Sequence, residues 1–523
     1  MLKKINGTDL FLGVSLVALT AIALGGFGWL NAQKPLLSEG ASSEIVSSSQ
    51  ASNSVTQLTL LGDTFAGYST FRNREFLESL KGFGIELSYE DEFAQKQRAE
   101  RLDKNADILV TSLDQFLAQK PNGRIVGLVD RTVGGDAVVL NSKKYPQLKS
   151  LLDLDKLVKQ QKAKGKPLKI AYASDTPSEY LALVIDTKFD GFDLSNFERV
   201  EVGDASEVWE LLHESESDIA VAVLWEPYVH YARTEGYPIV LFSGDVPTAI
   251  VDVIVASERL VESKPQVVED FLEAYYRRID SQLRNVSLLE EQIASDGQLS
   301  STEAVSVVEG IEFFSSVEAY QWMNDGTLTK RLGATAAVLA LSGQLQQIPD
   351  SFTNLYDKQF VEAAVKNTEK LMALVRDDNP ELADKLSGKS SSEKDSTVSA
   401  TTAEISEIGH LSLRGEVKFA TESAILDASN QEILEALAEE IHEFNSQTVA
   451  IRVVGHTSTT GSADLNQKLS EKRAVAVVDF LRKKGLPHSI VASGKGGSEP
   501  LPSFAPTDPR QQRTVVLLVR RSN

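Results

Sequence analysis

At 523 residues, with 42% hydrophobic and 24% charged residues, the chain is long enough for about three compact units and has the composition of a folded protein. Its 74 acidic against 53 basic residues leave a net charge of -21, which excludes a long nucleic-acid track, because phosphate binding needs concentrated lysine and arginine. The absence of cysteine excludes thiol catalysis, thiolate metal sites, disulfides and a cysteine-borne lipid anchor.

The chain opens MLKKINGTDLFLGVSLVALTAIALGGFGWLNAQK, and Leu10 to Leu30 carries no charge. That run of about 20 residues is enough to cross a hydrocarbon core of roughly 30 Å. Lys3 and Lys4 precede it, so the positive-inside rule keeps the N-terminus in the cytoplasm and sends the rest across. Residues 1–36 are therefore read as a signal-anchor transmembrane helix, single-pass in the inner membrane, with the following domains in the periplasm. The alternative is a cleaved signal peptide, cut near Ala21-Ile22-Ala23, although the apolar run exceeds the usual h-region of roughly 7–15 residues. Two Ser-rich stretches, 37–54 and 387–404, bury too little apolar surface to offset chain entropy and are predicted to be linkers. They set off a large domain, 55–386, from a small one, 405–523.

The large domain reads as α/β. Predicted strands are LTLLG (58–62), DILVTS (107–112), RIVGLVD (124–130), AVVLN (137–141), LKIAYA (168–173), IAVAVLW (219–225) and IVDVIVAS (250–257), all rich in β-branched residues. Between them, segments such as Ser206 to Leu212 carry helical apolar spacing, so a mostly parallel sheet is expected, with ligands beyond the strands' C-terminal ends. The candidates for solute binding lie there. They are Thr64, Phe65, Tyr68 and Ser69 after the first strand, Ser112 after the second, and Asp136 in VDRTVGGDAVV (129–139). Ser174, Thr176 and Ser178 in ASDTPSEYL (173–181), with Trp225 and Glu226 in LWEPYVHYA (224–232), complete the set.

Each has a plainer reading beside it. Trp225 and Phe65 serve equally as core residues, while Asp63, Asp175, Ser69, Ser112 and Thr176 serve as helix caps. Acids at these strand ends (Asp63, Asp136, Asp175, Glu179, Glu226) outnumber the one base, Arg131, which tilts the expected ligand toward a cationic or neutral molecule caged by Tyr68 and Trp225.

The order of these segments resembles a periplasmic solute-binding protein of ABC importers, of the nitrate/sulfonate/taurine type. The landmarks are the Thr176-Pro177-Ser178 turn, Trp225-Glu226-Pro227 with its aromatic-rich helix, and the segment 250–280. The closing helices in 301–323 and 339–361 extend the likeness. The resemblance implies two lobes joined by a hinge, with chain crossings near 130–140 and 238–250, closing on one small molecule. No catalytic constellation competes. The six histidines are scattered, and there is no G-x-S-x-G elbow, no P-loop and no metal-ligand pair, so neither enzyme activity nor a cofactor is expected.

In the small domain the pattern is βαβαβ. It runs as a strand GEVKFAT (415–421), an amphipathic helix 430–444, a strand TVAIRVVGHT (448–457), a helix 465–485 stopping at Gly485, and a strand RTVVLLVRR (513–521). The motifs V-G-H-T (454–457), N-Q-K-L-S-E-K-R-A (466–474), G-K-G-G-S-E-P (494–500) and R-Q-Q-R-T-V (510–515) resemble the OmpA-like peptidoglycan-binding domain, shared with MotB-type stator proteins. The resemblance implies a grip on the diaminopimelate of the wall peptide through Thr457, Ser458, Asn466, Leu469 and Arg473. Ser458 stands where the family has an aspartate for the ammonium, and Arg473 is the arginine for the carboxylate. A second departure is Ala420, where some members carry another acid.

Two functions emerge as expectations. One is a membrane-anchored envelope protein that binds a small solute and is tethered to peptidoglycan. The alternative is a MotB-like structural protein whose receptor-like domain contacts a membrane-protein partner, although Leu10 to Leu30 lacks a proton-carrying acid.

Overall fold

The computed structural model describes residues 55–214, 217–388, 407–411, 417, 419–420 and 422–521. The span expected at Leu10–Leu30, the stretch 37–54, all of the second linker beyond Gly388 that precedes 405, and most of the strand expected at 415–421 lie outside them. Among the described residues no helix is long and apolar enough to cross a membrane.

The chain first lays down β1 (Thr56–Gly62), β2 (Ile85–Asp91), β3 (Ile108–Ser112) and β4 (Gly123–Thr132). It then builds β5 (Asp136–Leu140), β6 (Leu168–Ala173), the two-residue β7 (Phe189–Asp190), β8 (Phe197–Val202), β9 (Ile219–Trp225) and β10 (Ile239–Phe242). It returns as β11 (Val251–Ser257) and β12 (Ile311–Phe313). Two sheets result, ordered β12-β4-β11-β3-β1-β2 and β10-β5-β9-β6-β8, one in each lobe. All seven residues of β11 and all five of β3 and β5 are buried, because their sheets are covered on both faces.

The expected mostly parallel sheet is corrected: both sheets are mixed. Only β1–β2, β1–β3, β6–β8 and β6–β9 pair in parallel. The physical cause is the lobe-to-lobe path. Returning β11 inserts between β3 and β4 and runs antiparallel to both, while entering β5 runs antiparallel to β9 and β10.

The crossings themselves fall at 133–135 and 243–250, inside the expected ranges. They touch. A Cβ at Gly244 would lie 2.2 Å from the Val133 carbonyl oxygen, so this approach requires glycine.

The C-terminal segment adds β13 (Glu407–Leu411), β14 (Val449–Gly455), β15 (Ile490–Gly494) and β16 (Thr514–Arg520), with helices Ala428–Ile441 and Ala463–Lys483. The strand expected at 415–421 is not one at its described residues, Val417, Phe419 and Ala420; the Ala420 carbonyl is instead taken by Arg473. β13 supplies the pairing in its place, and β15 is a strand that periodicity alone did not predict.

The C-terminal sheet, ordered β15-β14-β16-β13-β7, ends on a strand of the large domain, through His410 opposite Asp190 and Leu411 opposite Phe189. Glu443 accepts Lys188 at 2.6 Å and Arg331 at 3.3 Å. At the second crossing, Arg520 pairs with the fully buried Asp245, and Asn445 donates its backbone N–H to the Asp245 carbonyl at 2.8 Å and its amide to the Gly244 carbonyl at 3.0 Å.

Candidate functional site

Between the lobes, at the ends of β1, β3, β6 and β9, lies a cleft of 360 Å³. Its aromatic lining is Phe65, Tyr68, Phe93 and Trp225. Phe71, fully buried, stacks on Tyr275 at 4.9 Å and 8° and so fixes the loop that carries Phe65 and Tyr68, whose rings meet edge to face at 5.1 Å. Of the residues expected to bind solute, Thr64, Phe65, Tyr68, Ser112, Asp136, Ser174, Thr176, Trp225 and Glu226 line this cleft. Two do not. Ser69 is buried behind it and accepts from Gln292 Nε2 at 3.0 Å, while Ser178 donates to Asp136 Oδ1 at 2.9 Å and so orients that acid. Ser112 and Thr176 occupy N-cap positions of the helices Leu113–Gln119 and Pro177–Lys188 without making a side-chain cap bond. Asp63 does take a turn-capping role, accepting from Phe65 N–H at 2.9 Å.

The charge of the cleft is one-sided. Seven carboxylates line it, those of Asp63, Asp136, Asp175, Asp204, Glu226, Asp252 and Asp296, and no lysine, arginine or histidine does. Arg98 satisfies Asp63 at 2.7 Å, and Arg72 pairs with Asp296. Arg131, the base singled out in the sequence, is turned elsewhere, held by Glu318 at 2.7 Å and Glu312 at 3.0 Å.

Asp136 is 5% exposed, and its burial outweighs the Ser178 hydroxyl to push its pKa up to about 7. Burial also raises Glu226. Asp252, 2% exposed, accepts from the Tyr68 hydroxyl on Oδ1 and has no hydrogen-bond partner on Oδ2. Asp130 behind it is wholly buried with both oxygens unpartnered; burial and repulsion from Asp252 hold its carboxyl toward the protonated form, as burial and repulsion from Asp114, Asp63 and Asp136 do for Asp252.

Sequence reasoning missed Asp252, Asp204, Asp296 and Phe93. Asp252 did carry a signal, an acid in the middle of the apolar strand IVDVIVAS. Phe93 carried one as well, a large aromatic in a polar loop, 64% exposed at the mouth of the cleft.

In the C-terminal segment, β14 delivers Thr457 and Ser458 against the helix Ala463–Lys483, so closely that a Cβ at Gly455 would lie 2.1 Å from the Ser470 carbonyl oxygen. Asn466 donates to the carbonyls of Ser458 at 3.1 Å and Thr460 at 3.0 Å, and Leu469 is half-buried. Thr457 and Ser458 are each 4% exposed. Arg473 is 1% exposed and donates to Ser423 O at 2.9 Å, Gln512 Oε1 at 3.0 Å and Ala420 O at 3.1 Å, with its guanidinium 5.2 Å from the centre of the Phe419 ring. Burial lowers its pKa. Among the described residues it has no carboxylate partner. Three of the five donors an arginine carries are engaged there.

Residues 418–514 match the OmpA family model, and the C-terminal segment is an OmpA family domain. Outer membrane protein A of Shimwellia blattae is 32% identical over 108 residues, 20% of this chain and 45% of that protein; that of Klebsiella aerogenes is 39% identical over 90 residues, 17% and 26%. The chain thus spans less than half the length of these relatives. Among solved structures, the alkanesulfonate-binding protein SsuA from Xanthomonas axonopodis pv. citri bound to MOPS has a TM-score of 0.42 at 14% identity, covering 56% of this chain and 95% of that one. The putative periplasmic sulfonate-binding protein SsuA from Methylobacillus flagellatus KT has 0.48 at 15%, covering 60% and 96%, and the desulfurization enzyme DSZB has 0.44 at 14%, covering 60% and 99%.

Proposed function

We propose that this chain is a binding protein of the cell envelope rather than an enzyme, with residues 55–386 closing on a small solute and 405–523 tethering it to peptidoglycan. Residues 1–36 would anchor it in the inner membrane, single-pass, facing the periplasm. The observation that carries the reading is the cleft of 360 Å³ between two lobes joined by two touching crossings, since small-molecule sites are spaces of this size lined by aromatic rings and a few polar groups. In the OmpA family domain the resemblance gives Arg473 the diaminopimelate carboxylate, and Ser458 leaves the ammonium without a counter-charge. The loss of one charged contact weakens wall binding by about 5- to 30-fold. In a sacculus pull-down, Ser458→Asp is expected to raise retention.

The receptor reading is tested by a thermal-shift screen of the purified chain against small molecules. A ligand at 100 times its dissociation constant stabilises by about 2.7 kcal/mol. Trp225→Ala with Tyr68→Ala should abolish that shift, and an unchanged shift would place the solute elsewhere. One observation favours the second reading, a structural protein working on a membrane partner: Arg520 and Asn445 hold the second crossing, which resists the hinge motion that capture requires. A screen in which nothing binds would favour it.

A further inference from the structure

We infer that the cleft takes an organic cation, an ammonium or guanidinium compound held by Asp252 and Asp136 and packed among Phe65, Tyr68 and Trp225. The inference rests on the receptor reading above and names the class of its solute.

Three observations converge on it. First, the cleft is lined by seven carboxylates and no cation. Arg98 and Arg72 neutralise two of them, but Asp136, Asp175, Asp204, Glu226 and Asp252 have no ion-pair partner among the described residues. Second, Asp252 lines the cleft while only 2% of its surface is exposed, and its Oδ2 has no hydrogen-bond partner. Buried polar atoms are normally satisfied, so an orphaned carboxylate oxygen at a ligand cleft marks the place of a donor from outside the chain. Third, aromatic rings stand with these acids, and the negative face of an aromatic ring attracts cations. A metal ion is the less suitable occupant, because among the described residues no three carboxylates or imidazoles are grouped so as to hold one.

An anion has little to meet here. The groups acting on Asp252 are Tyr68 and Asp63 from the loop after β1, Asp114 from the helix Leu113–Gln119, Asp130 on β4, Asp136 on β5 and Tyr275 from the helix Pro265–Arg284. Arg98 is the cation of this neighbourhood, and Asp63 already engages it. Asp136 in turn is acted on by Ser178, Glu226 and Asp114. With acids on almost every side and burial besides, the carboxyls retain protons until a cation arrives, so binding releases a proton and tightens as pH rises.

The test uses the purified full-length chain and calorimetric titration with choline, putrescine and arginine as cationic probes, taurine and propanesulfonate as anionic ones, and Ca²⁺ alone, at pH 6 and pH 8. The expected result is that at least one organic cation binds, about 10-fold more tightly at pH 8 than at pH 6. Asp252→Asn and, separately, Asp136→Asn should each weaken it about 10- to 100-fold while the unfolding midpoint does not fall. Trp225→Ala, which removes no charge, should weaken it at both pH values alike. Binding of a sulfonate without any organic cation overturns the inference and leaves the receptor reading standing. Binding of Ca²⁺ alone overturns the inference as well. Failure of every probe overturns the inference, and the wider thermal-shift screen then decides the receptor reading by itself.

Discussion

Asp136 and Arg473 are both buried charged residues, 5% and 1% exposed, and their surroundings are opposite in kind. Around Asp136 the chain supplies one hydroxyl and further acids, so burial is answered by retaining a proton. Around Arg473 it supplies three neutral acceptors and an aromatic ring, so the cation is bound and satisfied without a counter-charge. Each region therefore keeps its unmet demand in a different place. The cleft holds its own in carboxylates that nothing in the chain neutralises. The OmpA family domain has already committed most of its arginine to the carbonyls of Ala420 and Ser423 and the side chain of Gln512.

The largest effect on this contrast is expected from Asp136→Asn. Its folded-state pKa of about 7 lies above the ordinary value of about 3.9, so the folded protein keeps a proton that the unfolded chain loses. That contribution to stability is full below pH 4 and falls as pH rises through 7. The amide should therefore stabilise the protein at pH 8, by up to about 4 kcal/mol, and leave it unchanged near pH 4. Unfolding midpoints measured at both pH values decide it; a destabilised variant at pH 8 would mean that Asp136 has a cationic partner after all.

Arg473→Ala should act in the opposite direction, costing about 3 kcal/mol because the carbonyls of Ala420 and Ser423 lose their donor, with no pH dependence between about 5 and 8. Denaturant unfolding followed at those two pH values checks both parts. An effect below about 0.5 kcal/mol would show that the arginine is not structural.

Between these extremes stands Arg520, whose partner Asp245 is completely buried at the crossing between lobes. Arg520→Ala should cost about 2 kcal/mol, and Asp245→Asn introduced with it should recover most of the loss by removing the stranded charge. A double-mutant cycle reads this coupling, and additive effects would deny the contact between the OmpA family domain and the hinge. The smallest effect is expected at Phe93, 64% exposed: Phe93→Ala should leave stability within about 0.5 kcal/mol, so any change it makes to solute binding reports the cleft mouth alone.

Much of this molecule was legible in its sequence. The seven predicted strands of the large domain all exist, because strands covered on both faces must be continuous runs of branched apolar residues, and β3, β5, β9 and β11 are of that kind. The missed strands are polar or short. IELSYED (β2) sits at a sheet edge with several residues exposed, FERVEV (β8) is an edge of the second sheet, β7 and β12 span two and three residues, and the apolar edge strand IVLF (β10) spans only four. In the OmpA family domain, spaced motifs marked the helix and strand that carry Arg473 and Ser458. They did not foretell that Ala420 and Ser423 would give their carbonyls to that arginine.

Element types and nine of the residues that line the cleft could thus be read from local periodicity and from the residues placed just after each strand, while the two crossings were what the resemblance to solute-binding proteins implied. Which charges meet was settled only by folding. Asp252 reaches the cleft because returning β11 pairs it with Ser112, and Tyr68 donates to it across 184 positions of chain. Whether a buried acid finds a base is a property of folded distance, and Coulomb energy varies with separation in space; no periodicity in the chain records it.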